Sequence, residues 1–257
     1  MKLLVKLGGT LLDAPESRLR LAREISQVQR SGHQVVVVHG GGKQMTRFLA
    51  ERGVESHFIN GLRVTSPDVI DAVLKVFAGS VNAQLVSAFR SSGALPVGLS
   101  GISAGLVDAV QLSPELGQVG RPVASDARLL NLLAEAAYIP VVACVAGDAL
   151  GNIYNVNADQ MAVACAASFE VKELYFLTDV DGVRDENGQV CAVLTGPQAA
   201  DLISRGIATG GMQAKLEAAL DALDKGVQEV RIAPGARPGI LEALMGTTPP
   251  GTRILRG

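Results

Sequence analysis

The chain has 257 residues, 48% of them hydrophobic and 4% aromatic, with a formal net charge of −2. This length and apolar content suit one α/β domain with two lobes and a large core rather than two full domains. The near-neutral charge argues against a nucleic-acid surface or a polybasic membrane patch; MKLLVKLGG has no leader-type apolar region, and no apolar run of membrane length stands out.

In chain order, a strand over Leu3–Leu7 leads to a helix near 16–31, and a strand over Gln34–His39 to a helix near 43–52. A long helical pattern over 67–92 precedes a strand at Leu95–Leu99, and a helix near 125–137 precedes a strand at Ile139–Val145. A helix near 158–169 leads to a strand at Glu173–Leu177. Helices near 197–205 and 212–225 lead to a strand at Glu229–Ala233. This alternation predicts an α/β fold whose mostly parallel central sheet is covered by helices on both faces. The continuous apolar runs within these strands fit, because parallel strands are buried on both sides.

Segments 53–65, 101–122, 146–156 and 179–194 are rich in Gly, Asp, Asn and Ser and read as hairpins and function-bearing loops. A lobe boundary is placed near residue 150, giving an N-terminal lobe 1–150 and a C-terminal lobe 151–257 on one shared sheet. Cys144, Cys165 and Cys191 are odd in number and scattered, which suits reduced thiols in a cytoplasmic protein. His33, His39 and His57 have no metal-ligand spacing.

In open α/β sheets, ligands sit beyond the C-terminal ends of the strands. Three glycine turns fall there: KLGGT (Lys6, Gly8, Gly9, Thr10), HGGGK (Gly40, Gly41, Gly42) and GLSG (Gly98, Ser100, Gly101). Without a Cβ the backbone approaches an anion closely, and a helix starting just after adds its positive end. Gly42-Lys43 is followed by Gln44, which excludes a Walker A loop, and Met45 stands where GxGxxG needs glycine. One such turn is as well explained by a tight connection with no ligand; two on successive strands favour a site. Lys6 interrupts an apolar strand two residues before Gly8, so it is either a snorkelling edge residue or a functional cation. In NVNADQMA, helix capping accounts for Asn157 and Asp159 but not for Asn155. In TGGMQAK, Lys215 lies little more than a turn inside a helix and leans toward its start; alone it reads as a solvated lysine. In NGLRVT, Arg63 has the fork geometry for a carboxylate; alone, an arginine in a loop reads as surface.

KLGG (6–9), VHGGG (38–42), NGLRVT (60–65), GLSG (98–101), NVNAD (155–159), LTDVDGV (177–183), TGGMxxK (209–215) and GTRI (251–254) together resemble the amino-acid kinase family over essentially the whole chain. NGLRVT with NVNAD resembles the branch that acts on N-acetyl-L-glutamate. The resemblance implies a three-layer αβα sandwich of the carbamate-kinase type, with the acceptor and dimer contacts in the N-terminal lobe and ATP in the C-terminal lobe. Gly41 and Gly42 would bind substrate and the transferring phosphoryl, and Arg63 and Asn155 would hold the acetylglutamate. Lys6 and Lys215 would stabilise the transition state, oriented by Asp159. Gly9, with Asp179, Val180, Asp181, Gly182, Val183, Arg184, Ile207, Ala208 and Thr209, would bind ATP. Mg²⁺ would be held mainly through the phosphates, and the reaction would be the second step of arginine biosynthesis. The loop after GLSG reads Ile102-Ser103-Ala104-Gly105 where the family often has Lys-Asp, so no catalytic residue is placed there.

The chemistry agrees with these residue types. A side-chain carboxylate, with a pKa of about 4.3, is already the nucleophile at neutral pH and needs no general base. The difficulty is electrostatic: an anion meets a triphosphate whose charge spreads during transfer. Rivals are a kinase of a carrier-linked aminoadipate, a non-catalytic nucleotide-binding module of the same fold, and a Rossmann dehydrogenase that lacks its GxGxxG. Val69, Val73, Val76 and Phe77 on one face of the 67–92 helix suit core packing and an interface equally by periodicity; the resemblance favours the interface and implies a two-fold homodimer. In arginine-inhibited family members an extra N-terminal helix links dimers into a ring. The first strand here begins at about Lys2, so insensitivity to arginine is expected.

Overall fold

The structure is a computed structural model that describes residues 1–257. Its strands are β1 (Lys2–Leu7), β2 (Gln34–His39), β3 (Phe58–Ile59), β4 (Leu62–Arg63), β5 (Leu95–Ser100), β6 (Val107–Gln111) and β7 (Val119–Ser125). There follow β8 (Tyr138–Ala143), β9 (Val145–Gly147), β10 (Ile153–Val156), β11 (Glu173–Thr178), β12 (Val193–Thr195), β13 (Glu229–Pro234) and β14 (Thr252–Leu255). The helices are α1 (Pro15–Arg30), α2 (Gly42–Ala50), α3 (Pro67–Ser91), α4 (Arg128–Glu135), α5 (Ala158–Ser168), α6 (Gly196–Ser204), α7 (Gly210–Asp224) and α8 (Ile240–Met245).

Eight strands form one sheet in the order β12-β14-β13-β11-β1-β2-β8-β5, parallel except where β13 meets β14. β1 lies between β2 and β11, with Lys6 in register with Val38 on one side and Phe176 on the other, so both halves of the chain share the sheet. Val35, Val36, Val37 and Val38 are fully buried, the pattern of a parallel strand covered on both faces. They belong to a single cluster of 72 buried residues that draws on both halves. α1 turns Leu21, Ala22, Ile25 and Val28 inward, the spacing of an amphipathic helix, after Pro15 sets its first turn. β6, β7, β9 and β10 close into a small separate barrel. β10, beyond residue 150, pairs with β7 and β9.

Several expectations change. Ile139–Val145 is not one strand: β8 ends at Ala143, and β9 starts at Val145 in the barrel. The Gly101 amide holds Val145 O at 2.7 Å and the Val156 amide holds Cys144 O at 3.1 Å, which turns the chain out of the main sheet. α4 begins at Arg128 rather than 125, because residues through Ser125 pair in β7. β12, β14 and α8 escape a periodicity reading because each is only three to six residues long.

α3 does reach membrane length and apolarity, with half of its most apolar window buried inside the protein. Its Val69, Val73, Val76 and Phe77 are 8%, 0%, 2% and 5% exposed, so that face is core packing and not an interface. Leu74–Val81 within it is a wider π turn.

Candidate active site

The site forms where β1 and β2 end side by side. The Gly8 amide donates to Leu177 O at 3.0 Å, fastening the end of β1 to β11. Gly9 then faces the next turn: a β-carbon on it would lie 3.3 Å from Gly42 N. Gly41 meets Phe77, whose ring would stand 2.8 Å from an added β-carbon, while Gly42 borders open space. The Gly41 amide makes no hydrogen bond within the protein, and the first N–H groups of α2 have no intrahelical partner. The two turns thus oppose each other, and the second offers free donors to an anion.

Three charged residues from distant segments converge beside them. Lys6, on β1, stands 2.7 Å from Asp159 Oδ1, and Lys215, on α7, donates to Asp159 Oδ2 at 3.3 Å. Lys6 and Asp159 are almost fully buried and Lys215 nearly so. Asn157 caps α5, its side-chain oxygen accepting from the amides of Asp159 and Gln160, which fixes where the carboxylate projects. Burial pushes the Asp159 carboxyl up, but the charges of Lys6 and then Lys215 outweigh it and hold its pKa below the ordinary value. One carboxylate faces two cations, leaving one positive charge in excess at a buried point.

Arg63 is 8% exposed and has no carboxylate partner. Its guanidinium donates to Gly42 O at 3.1 Å, to Thr46 Oγ1 at 2.8 Å and to Ser56 Oγ, and it stacks on the Phe58 ring at 4.7 Å. Burial pulls its pKa down, the mark of a cation that has lost water without gaining an anion. Asn155 is held by a 3.1 Å hydrogen bond to Thr65 Oγ1.

Two adjoining cavities contain eight of the seventeen expected residues. Gly41, Gly42, Arg63 and Asn155 line one of about 170 Å³, together with Phe77 and Cys144. Lys6, Gly9, Gly42, Arg63, Asp179 and Lys215 line an open cleft of about 710 Å³. Of the residues expected at the nucleotide beyond residue 175, Asp179 alone reaches that cleft. Val183 is fully buried and donates its amide to Thr252 Oγ1 at 2.8 Å. Gly182 gives way to Val190 and Thr252, Arg184 pairs with Asp181 at 3.5 Å, and Val180 is exposed. Ala208 is buried and Ile207 half-buried against the core, while Thr209 is the exposed residue before α7.

The third glycine turn serves packing. A β-carbon on Gly101 would lie 2.7 Å from Val145 O, and one on Gly98 would lie 2.2 Å from Asn82 Oδ1. Sequence reasoning missed Asp13, Thr46 and Arg47 and gave Thr10 and Lys43 no role of their own within the glycine turns; all five are on the wall of the larger cleft. The one signal was Lys43, which directly follows the triple glycine and has no ion-pair partner.

Residues 1–234 match the amino acid kinase family, and the chain belongs to that family. Acetylglutamate kinase from Solibacter usitatus is 62% identical over 255 residues, which cover 99% of each chain. Acetylglutamate kinase from Acidobacterium capsulatum is 44% identical over 95% of each. Among solved structures, N-acetylglutamate synthase from Neisseria gonorrhoeae, complexed with coenzyme A and N-acetyl-glutamate, superposes with a TM-score of 0.89 at 26% identity; the match covers all of this chain and 59% of that one. Carbamate kinase from Giardia lamblia bound to AMP-PNP shares the fold, with a TM-score of 0.74 at 14% identity.

Proposed function

We propose that this chain is an acetylglutamate kinase: it transfers the γ-phosphoryl group of ATP to the side-chain carboxylate of N-acetyl-L-glutamate, giving ADP and N-acetyl-L-glutamyl 5-phosphate, the second step of arginine biosynthesis. The observation that carries the reading is Arg63, buried without an anion beside the free Gly41 amide and open to the cleft that holds Lys6 and Lys215. An acidic acceptor supplies the missing charge, and the phosphoryl group moves over the glycine amides between the lysines.

In this assignment Arg63 and Asn155 bind the acceptor, leaving its side-chain carboxylate at Gly41 and Gly42. A carboxylate oxygen attacks the γ-phosphorus as the bond to the β-phosphate bridge breaks. Lys6 and Lys215 neutralise charge on the oxygens in flight, and Asp159 fixes both ammonium groups so that little reorganisation is needed. Gly9 and residues 179–184 and 207–209 are assigned to the nucleotide, which places ATP mainly on the 151–257 half and the acceptor mainly on the 1–150 half. Asp13 and Asp179 lie on the cleft wall without a cluster of three metal-donor side chains, a donor set suited to Mg²⁺ carried by phosphate oxygens. When bound, the ion supplies further charge neutralisation on the phosphates.

A homodimer is part of the reading. β5 is an unpaired sheet edge, and its Leu95 is in register with Tyr138; they are 55% and 38% exposed. Light scattering should give twice the 26.6 kDa chain mass. The three unpaired cysteines suit the cytoplasm. The deciding experiment traps acyl phosphate with hydroxylamine in the presence of ATP and acetylglutamate, glutamate, aspartate or aminoadipate. Hydroxamate from acetylglutamate first and foremost supports the reading; none from it overturns the reading.

A further inference from the structure

His39 is fully buried at the end of β2, directly before the triple glycine, and no step above uses it. Its Nδ1 lies 2.8 Å from Gly40 O and its Nε2 lies 2.9 Å from Asn82 Nδ2. The same Asn82 nitrogen is 2.9 Å from Val141 O. These contacts fix every proton. Carbonyl oxygens only accept, so Nδ1 carries the ring proton and gives it to Gly40 O. Val141 O likewise makes the Asn82 nitrogen the donor, so Nε2 receives a hydrogen bond and stays unprotonated.

The consequence lies in the peptide unit between Gly40 and Gly41. In a trans peptide the C=O and the following N–H point in opposite directions. Drawing the Gly40 carbonyl toward the buried ring turns the Gly41 amide away from it, toward the cavity that Gly41 lines. Gly41 has no β-carbon and its amide is bonded to nothing else, so its own chain does little to hold that plane.

The rest of the arrangement keeps the ring in place. The Asn82 amide returns to Phe77 O, five residues back, within the π turn. In a regular α-helix, residues five apart point about 140° away from each other. The wider turn lets Phe77 cover Gly41 while Asn82 reaches His39, both at 5% exposure. Gly98 leaves the room that the Asn82 side-chain oxygen occupies, which gives the GLSG glycine a purpose that phosphate binding did not.

We infer that His39 is a positioning residue for phosphoryl transfer: as the neutral Nδ1–H form, anchored by Asn82, it aims the Gly41 amide at the transferring group. The inference rests on the kinase reading, and its test keeps the two apart.

His39→Asn places an amide donor near the Nδ1 position and gives up Asn82; His39→Gln reaches Asn82 and gives up the donor to Gly40. If His39 acts through Gly40, His39→Gln loses about 10- to 100-fold in kcat, a fraction of the loss when an oriented donor is removed outright. His39→Asn then keeps at least about 10-fold more kcat than His39→Gln at comparable melting temperature, and KM for both substrates shifts less than kcat. Equal kcat in the two variants reduces His39 to packing and overturns the inference. Should either variant fail to fold, ring ¹⁵N spectra of histidine-labelled wild type decide: a protonated Nδ1 at pH 7 supports the inference, and a protonated Nε2 overturns it. Wild type that forms no hydroxamate from acetylglutamate sinks the kinase reading instead and leaves the ring assignment standing.

Discussion

Gly41 and Phe77 lie so close that a β-carbon on the glycine would be 2.8 Å from the ring, whereas the neighbouring Gly42 has nothing within 4 Å of that position. The two glycines of one turn therefore answer to different demands. Gly41→Ala must displace Phe77 in a packed region, costing about 1–3 kcal/mol of stability along with activity. Gly42→Ala should keep wild-type stability while lowering kcat, because its methyl enters the space left for substrate. Thermal melts beside steady-state rates separate the two, and Phe77→Leu should restore part of the stability lost in Gly41→Ala. Equal melting temperatures for the two alanine variants would contradict the contact.

Lys6 and Lys215 are expected to act on the transition state. Replacing either with Ala should lower kcat by roughly 10²-fold or more, as for lost oxyanion donors, with smaller changes in KM. Near-normal kcat in Lys215→Ala would remove it from the chemistry.

Asp159→Asn leaves the buried Lys6 and the nearby Lys215 facing each other without their shared carboxylate. Breaking one partner out of a buried ionic group costs about 3–5 kcal/mol. Added phosphate or sulfate should recover part of that loss by taking the carboxylate's place between the lysines. Denaturant melts with and without the anion test this, and an unchanged midpoint in Asp159→Asn would refute the coupling.

For Arg63, substitution by lysine is not conservative, because lysine lacks the planar fork that Gly42 O, Thr46 and Ser56 hold in place. Arg63→Lys should raise KM for acetylglutamate strongly and KM for ATP little. Equal effects on both would assign Arg63 to the fold.

Acid should weaken the protein through His39. Burial holds its pKa down at about 4 from an ordinary 6.5, with the hydrogen bond to Gly40 opposing the shift. Between those values the unfolded chain binds a proton that the folded chain refuses. Stability is therefore full above pH 6.5 and falls as pH drops toward 4. Linkage gives this group a loss of about 2 kcal/mol between pH 7 and pH 5. Urea midpoints at the two values, compared with His39→Asn, should show the dependence shrinking by that amount in the variant; an identical pH dependence would mean that His39 is not the group responsible.

The α/β class, the six long parallel strands and the glycine turns that end the first two of them were legible in the sequence because each depends on local pattern. A run such as Val35–Val38 is apolar on both faces only if both faces are covered, and Asn157 caps α5 through bonds to the next two or three residues. The contacts that decide chemistry and packing are between residues far apart in the chain, and no window reports them. Lys215 reads as a surface lysine until α7 brings it to Asp159 beside Lys6. Val73 and Phe77 suit an interface as well as a core until the folded chain buries both, Phe77 against Gly41. His39 has no metal-ligand spacing and shows no role until Asn82 arrives through a π turn and Gly98 leaves it room. Sequence by itself determined which residues carry charge and which lack side chains. Tertiary structure decided which of those charges are deprived of water and which backbone amides are aimed, because desolvation and direction belong to the packed chain.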